Sequence, residues 1–235
     1  MKVLIVKLSS LGDVVHTMPA VMDLKAAFPN AQIDWVVERG FAPLAARCTA
    51  VHRVIPCELR RWRKAFLKTE TRAQTRFEWA AFKADLQQDA YDVILDLQGL
   101  TKSAWVAWLA RKATDGKRYA LANRTEGSGY EYPTRWVADV AVPITPHIHA
   151  VDRGRVLCAK ALGYDVPAHV NYGLGRASTQ RKPLVALVHG TSRADKEWPL
   201  SHWFDIGTRL KQQGFDVALP HGNEAERLRS VAIAE

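Results

Sequence analysis

The chain has 235 residues, 48% of them hydrophobic and 24% charged, the balance of an ordinary soluble globular protein with one large or two small domains. No apolar run approaches the roughly 18 residues that a membrane-spanning helix needs, and the run at 3–6 is too short for a signal-peptide core, so a cytoplasmic protein is expected. A net charge of +9 asks for an acidic partner (nucleic acid, anionic lipid or a phosphorylated substrate), and three cysteines without C-x-x-C spacing argue against a disulfide framework.

Apolar strand-like runs alternate with helical patterns, the mark of parallel βαβ units. Residues 3–6 read as the first strand, which breaks into a small polar loop at Ser9-Ser10-Leu11-Gly12-Asp13. Residues 14–28 carry apolar side chains at helical spacing, and Pro19 predicts a late start or a kink there. A second strand is expected at 33–37 and a short third at 51–56, followed at once by Arg60-Arg61-Trp62-Arg63-Lys64. Further on come a helix at 75–88, a strand at 91–97, and a helix at 101–109 with Thr101 as its cap. A strand at 117–121, a loop at 124–133 and a helix at 149–162 stopped by Gly163 complete the first array.

Residues 172–180 are rich in Gly, Ser and Arg and read as a linker. A second βα array then begins: strand 184–188, polar loop 189–198, helix 199–213, strand 215–219 and a helix from Glu224. The expected organisation is a first domain over 1–175, a linker at 176–181, and a second domain over 182–235 that looks unfinished.

In an open parallel sheet, ligands bind at the carboxyl ends of the strands, which directs attention to three loops. Asp13 lies in the first, where a carboxylate could take a proton from a substrate hydroxyl or simply cap the next helix. These roles oppose each other, because a helix N-terminus stabilises the anion and lowers its basicity. The loop has one glycine where a dinucleotide fingerprint needs three, and no Walker motif occurs. The second loop places four cations in five residues around Trp62. Arginine forks suit phosphate and carboxylate oxygens, although a solvated face or a nucleic-acid patch has the same composition. In the third, residues 189–199, hydroxyls and a lysine before a helix suit a diphosphate. No Asp-x-Asp pair and no histidine spacing of a metal site occur, and no G-x-S-x-G elbow marks a hydrolase.

These segments also resemble a known family. The runs Lys7-Leu8-Ser9-Ser10-Leu11-Gly12-Asp13-Val14-Val15-His16, Arg60-Arg61-Trp62-Arg63-Lys64 and Asp96-Leu97-Gln98-Gly99-Leu100-Thr101-Lys102-Ser103 carry the likeness. With His149-Ala150-Val151-Asp152-Arg153, residues 189–199 and Leu219-Pro220-His221-Gly222, they resemble the bacterial lipopolysaccharide heptosyltransferases that use ADP-heptose. The likeness runs in order over nearly the whole chain and loosens around 124–136.

The resemblance implies an α/β glycosyltransferase of the GT-B fold, with two Rossmann-like domains facing a cleft, acceptor on the first and nucleotide sugar on the second. Such enzymes move L-glycero-D-manno-heptose from ADP-heptose to Kdo of Kdo2-lipid A, inverting the anomeric centre without a metal or other cofactor. By the resemblance Asp13 is the general base, and Ser10, Gly12, Arg60, Arg61, Arg63, Lys64, Gln98, His149 and Arg153 bind the acceptor. Thr191, Ser192 and Lys196 would take the diphosphate, and Glu224 a ribose hydroxyl. The implied partners are ADP-heptose, Kdo2-lipid A and the anionic cytoplasmic face of the inner membrane, with no nucleic acid. The family's Asp-Thr-Gly-x-x-His signature is not met before Glu235, so an incomplete donor domain is expected. A related core transferase with another acceptor is the nearer alternative, and a basic nucleic-acid-binding module the more distant one.

Overall fold

The structure, a computed structural model, describes residues 1–175, 183–191 and 194–235. Contacts divide the chain into two compact units, Met1–Gly175 and Arg176–Glu235. In the first unit the strands and helices are β1 (Lys2–Val6), α1 (Leu11–Ala27), β2 (Gln32–Glu38), α2 (Ala42–Ala45), β3 (Arg53–Cys57), α3 (Leu59–Ala65) and α4 (Thr69–Gln87). They continue with β4 (Tyr91–Asp96), α5 (Thr101–Leu109), β5 (Lys112–Leu121), α6 (Pro133–Val137), β6 (Val140–Val142) and α7 (Ala150–Leu162).

The six strands form one parallel sheet in the order β3-β2-β1-β4-β5-β6. β1 is central, with Ile5 beside Trp35 on one side and Leu95 on the other. The alternation of side chains explains its apolar composition. Val3 and Ile5 enter the core formed with α1 and α7, Leu4 and Val6 the core formed with α3, α4 and α5, and all four are fully buried. Strand order reverses between β1 and β4, so the loops after these two strands border the crevice where an open α/β sheet binds ligands.

Several elements differ from the sequence reading for identifiable reasons. α1 starts at Leu11 with Pro19 inside it, because Ser10 and Asp13 form a capping box that fixes the helix start. α5 is capped from Leu100: the Ser103 hydroxyl accepts the Leu100 N–H at 3.1 Å, and Thr101 is the first helical residue. Residues 59–65 form a helix because Trp62 buries against Trp79 and Phe82, at ring separations of 5.7 and 5.4 Å. Residues 172–174 belong to the first unit. The Gly173 carbonyl accepts the Thr49 N–H at 3.0 Å, and Leu174 bridges to Cys48. The expected linker at 176–181 lies outside the described residues.

Two buried charge clusters hold this unit without facing the crevice. Near the opposite edge of the sheet, Asp34 accepts from Arg53 and from the Tyr91 hydroxyl, each at 2.8 Å. Between α1 and α7, Arg155 donates to Asp23 at 2.6 Å, each side chain 4% exposed, and also reaches the Pro167 carbonyl. Removing one member of such a pair strands the other in a dry interior. Arg155→Met is therefore expected to cost about 3–5 kcal/mol in urea unfolding, and Asp23→Leu/Arg155→Met together distinctly less.

The second unit contains β7 (Leu184–Ala186), α8 (Leu200–Gln212), β8 (Asp216–Ala218) and α9 (Glu224–Ala234), with β7 and β8 parallel neighbours. Leu187 and Ile233 are its buried apolar side chains among the described residues.

Candidate active site

The chain leaves β1 at Val6 but stays buried through Lys7, Leu8 and Ser9. Gln98, just past β4, braces this exit: it accepts the Leu8 N–H at 2.7 Å and donates to the Ser9 carbonyl at 2.9 Å. Lys102 of α5 donates to the Ser9 hydroxyl at 2.9 Å. Both ends of the Gln98 amide are thus occupied within the loop, which makes it a support for Leu8 and Ser9. Gly12 has open space around it, with nothing within 4 Å of where a Cβ would sit.

Asp13 occupies the third position of α1. Its Oδ2 accepts the Ser10 N–H at 3.0 Å and the Ser10 hydroxyl at 2.9 Å, and its Oδ1 lies 3.4 Å from the Lys7 ammonium. Partial burial opposes ionisation, but the Lys7 charge and the hydrogen bonds from Ser10 and Lys7 outweigh it and hold the carboxyl below its usual range. Asp13 is therefore a cap and an available anion at once, with about a third of its side chain open to solvent.

Lys7 is 5% exposed, and burial pulls its ammonium below the ordinary lysine range despite the pull of Asp13. Arg153 of α7 is 6% exposed and donates to the Thr125 hydroxyl at 3.0 Å. Burial lowers it too, and the Asp13 charge partly offsets that effect. His149 caps α7 by accepting the Val151 N–H at 3.4 Å, and its ring centre lies 6.2 Å from that of His16 in α1. Beneath them, burial raises the Asp96 carboxyl to about 6, although it accepts the N–H groups of Gln98 and Gly99 and the Ser103 hydroxyl.

The cationic run lies on α3, and helical phase sorts its members. Arg60 and Arg63, one turn apart, line a pocket of about 450 Å³ together with Lys102. Its floor is apolar, made by Leu59, Trp62, Phe66, Trp79 and Trp105, with the last two rings stacked at 4.8 Å. Arg61, expected with them, points elsewhere: it pairs with Glu58 at 2.8 Å and with Glu78, tying α3 to α4. Lys64 is exposed and outside that lining. Glu38, at the end of β2, lies close enough to Lys102 and Arg60 to feel their charge. Burial pushes its carboxyl up against the influence of Lys102 and Arg60, and its Oε1 is buried with no hydrogen-bond partner among the described residues.

Lys7, Glu38 and Lys102 are not singled out by the sequence as site residues. Only Lys7 carries a signal there, as a lysine that continues an apolar strand without a break. The other two are brought in by neighbouring strands and helices.

In the second unit the loop after β7 carries His189, buried and within 2.8 Å of the Ser230 hydroxyl, followed by half-buried Thr191. Ser192 lies outside the described residues. Lys196 is exposed in a short 3₁₀ turn, Ala194–Lys196. Glu224 opens α9, exposed and paired with Arg227 at 2.7 Å, while Glu226 accepts the Gly222 N–H at 2.7 Å. Among the described residues no three His, Cys, Asp or Glu side chains come together as a metal site, and no helix is long and apolar enough to cross a membrane.

A parallel sheet ordered β3-β2-β1-β4-β5-β6, with a capped carboxylate and arginines at its carboxyl edge and a further βα unit downstream, is a Rossmann-like α/β fold, and its likeness to solved heptosyltransferases makes it an α/β glycosyltransferase of the GT-B class. The model of glycosyltransferase family 9 (heptosyltransferase) matches residues 79–235, and the chain belongs to that family. It is 40% identical to lipopolysaccharide heptosyltransferase 1 of Pseudomonas aeruginosa, the match covering 100% of this chain and 64% of that protein. The corresponding protein of Escherichia coli K12 is 38% identical, with 100% of this chain and 72% of that one covered. The structure of E. coli heptosyltransferase WaaC with ADP-2-deoxy-2-fluoro heptose superimposes with a TM-score of 0.86 at 37% identity, covering 100% of this chain and 73% of that one. The chain thus spans about two thirds of the length of its curated relatives.

Proposed function

We propose that the chain contributes to transfer of L-glycero-D-manno-heptose from ADP-heptose to Kdo of Kdo2-lipid A, an inverting and metal-independent step of lipopolysaccharide inner-core synthesis. The observation that carries this reading is Asp13: a partly exposed, ionised carboxylate fixed by Ser10 and Lys7 at the carboxyl end of the central strand. The names of the relatives and the ADP-heptose analogue in the E. coli structure support the donor.

In the proposed reaction the acceptor hydroxyl oxygen attacks the anomeric carbon from the side opposite the diphosphate. A new C–O bond forms as the bond from the anomeric carbon to the phosphate oxygen breaks, and its electron pair leaves with ADP. The hydroxyl proton passes to Asp13. A weak base suffices, because the hydroxyl becomes acidic only as its oxygen bonds to carbon. Inversion follows from the single displacement. Without a metal, positive groups must take the charge developing on the leaving diphosphate, and such stabilisation commonly does more for the rate than any other single effect. Thr191, Ser192 and Lys196 are assigned that task, and Glu224 the ribose.

The first unit is assigned to the acceptor. Arg60 and Arg63, with Lys102, would meet its acidic groups, Arg153 and His149 would lie near Kdo, and Ser10 and Gly12 would border the reacting hydroxyl. Gln98 and Arg61 serve by holding the loop and α3 in place, and Lys64 offers a cation to the surface. A lipid acceptor and a net charge of +9 also support peripheral attachment to the anionic cytoplasmic face of the inner membrane. The test is ADP release by the full-length protein. It should require ADP-heptose and Kdo2-lipid A together, and release with a heptose-terminated acceptor alone would move the assignment to a later step of the core.

A further inference from the structure

The carboxyl end of β1 contains a buried charge at a place where packing alone would accept an apolar side chain. Lys7 continues the central strand between Val6 and Leu8, both fully buried, and is itself 5% exposed. An apolar side chain would pack there without the cost of desolvating an ammonium. The ammonium has three donors to satisfy, yet among the described residues its close oxygen partners are the Leu97 carbonyl at 3.2 Å and Asp13 Oδ1 at 3.4 Å. Structural cations elsewhere in the unit, Arg53 and Arg155, are far better paired.

The geometry at Asp13 gives this charge a use. Ser10 binds Oδ2 through both its N–H and its hydroxyl, which leaves Oδ1 for Lys7. A carboxylate held at both oxygens has one orientation, and its remaining lone pairs face the open side. We propose that Lys7 is a positioning residue for the transfer: from the buried end of β1 it acts as counter-charge to Asp13 and fixes the carboxylate toward the acceptor hydroxyl. The proposal rests on the reading of Asp13 as proton acceptor.

Other charged groups around the pair do not fill this role. Arg153 on α7 senses Asp13, but its guanidinium donates to Thr125. Lys102 on α5 donates to the Ser9 hydroxyl and otherwise lines the Arg60–Arg63 pocket. Asp96, at the end of β4, is bound by the Gln98 and Gly99 N–H groups and by Ser103. His16 and His149 lie together near the start of α7 without a contact to Lys7 among the described residues. Among those residues Lys7 alone joins the Asp13 carboxylate to the end of β1.

The test uses Lys7→Met in the full-length protein, a change that keeps the length of the side chain and removes its charge. Three readings are taken: the Asp13 carboxyl titration by carbon-13 NMR, the pH dependence of kcat with both KM values, and thermal unfolding. Losing the counter-charge makes the Asp13 anion less favourable, so the titration midpoint and the acid limb of kcat should both move up by about one pH unit or more. At neutral pH kcat should fall about tenfold or more as orientation is lost, with KM for either substrate changed less than about twofold. The melting temperature should change little, because the desolvation cost of the ammonium is removed while Asp13 and Asp96 lose a nearby cation. Lys7→Arg should recover part of the rate, and Lys7→Gln repeats the test should Lys7→Met fail to fold. An unmoved carboxyl midpoint overturns the proposal, even while Asp13→Asn remains inactive. A midpoint that moves while kcat does not also overturns it; if Asp13→Asn then retains turnover, the fault lies with the proton-acceptor reading, and if it is inactive, with the positioning role of Lys7.

Discussion

Asp13→Asn is expected to lower kcat by about 10²–10⁴-fold, the usual contribution of a positioned proton acceptor, while KM for ADP-heptose stays within about twofold. Asparagine is the informative substitution because its carbonyl oxygen can still accept from Ser10 and start α1. Loss of activity then reports the missing charge and proton affinity, and not a frayed helix. Far-UV circular dichroism and melting temperature should stay close to those of the parent protein. The substitution also leaves Lys7 buried without its counter-charge, so its ammonium should deprotonate more readily still. The check is the initial rate of ADP release at saturating substrates, and turnover within about threefold of the parent would remove Asp13 from the chemistry.

The second large effect is expected at the aromatic-floored pocket. Arg60→Ala/Arg63→Ala should raise the acceptor KM by about 10²-fold or more, since charge-assisted hydrogen bonds contribute about 1.5–3 kcal/mol each. The donor KM and the pH profile should remain as they were. Arg61→Ala is the matched control. It removes the same charge from the same helix, but from a side chain already tied to Glu58 and Glu78. Exposed pairs of that kind are worth about 1 kcal/mol or less, so a small fall in melting temperature with an unchanged KM is expected. If all three arginines weakened the acceptor equally and in proportion to salt, the run would be acting as an undirected charge, and the pocket would lose its assigned role.

What could be read from the sequence follows from where the physics is local. The middles of β1, β2 and β4 are buried on both faces, which writes them as short apolar runs at 3–6, 35–37 and 93–95. Gly163 ends α7 with a φ of 73°, a backbone conformation glycine adopts without strain. Asp13 is visible as a carboxylate in a loop after the first strand, but that it caps α1 through Ser10 and still keeps a partly open face shows only once its contacts are placed. The helix α3 is hidden because Trp62 is its one buried side chain in a run of cations, so the apolar period is missing. Which arginine faces the pocket depends on that helix, and hence sequence alone cannot separate Arg61 from Arg60 and Arg63. The short β6 and α2 span three and four residues, too few to show a period. Lys7 shows in the sequence only as a lysine continuing an apolar strand, because its burial is created by partners far along the chain. Leu97, which accepts from it, is 90 residues away, and Arg153 is more distant still.

The central claim is metal-independent, inverting heptosyl transfer with Asp13 as proton acceptor. Its most direct test is a proton and carbon-13 NMR assignment of the product made by the full-length protein from ADP-heptose and Kdo2-lipid A with excess chelator present. Full turnover is expected, giving a heptose joined to Kdo with the anomeric configuration opposite to that in the donor. Retained configuration, or transfer that stops when divalent ions are removed, would contradict it.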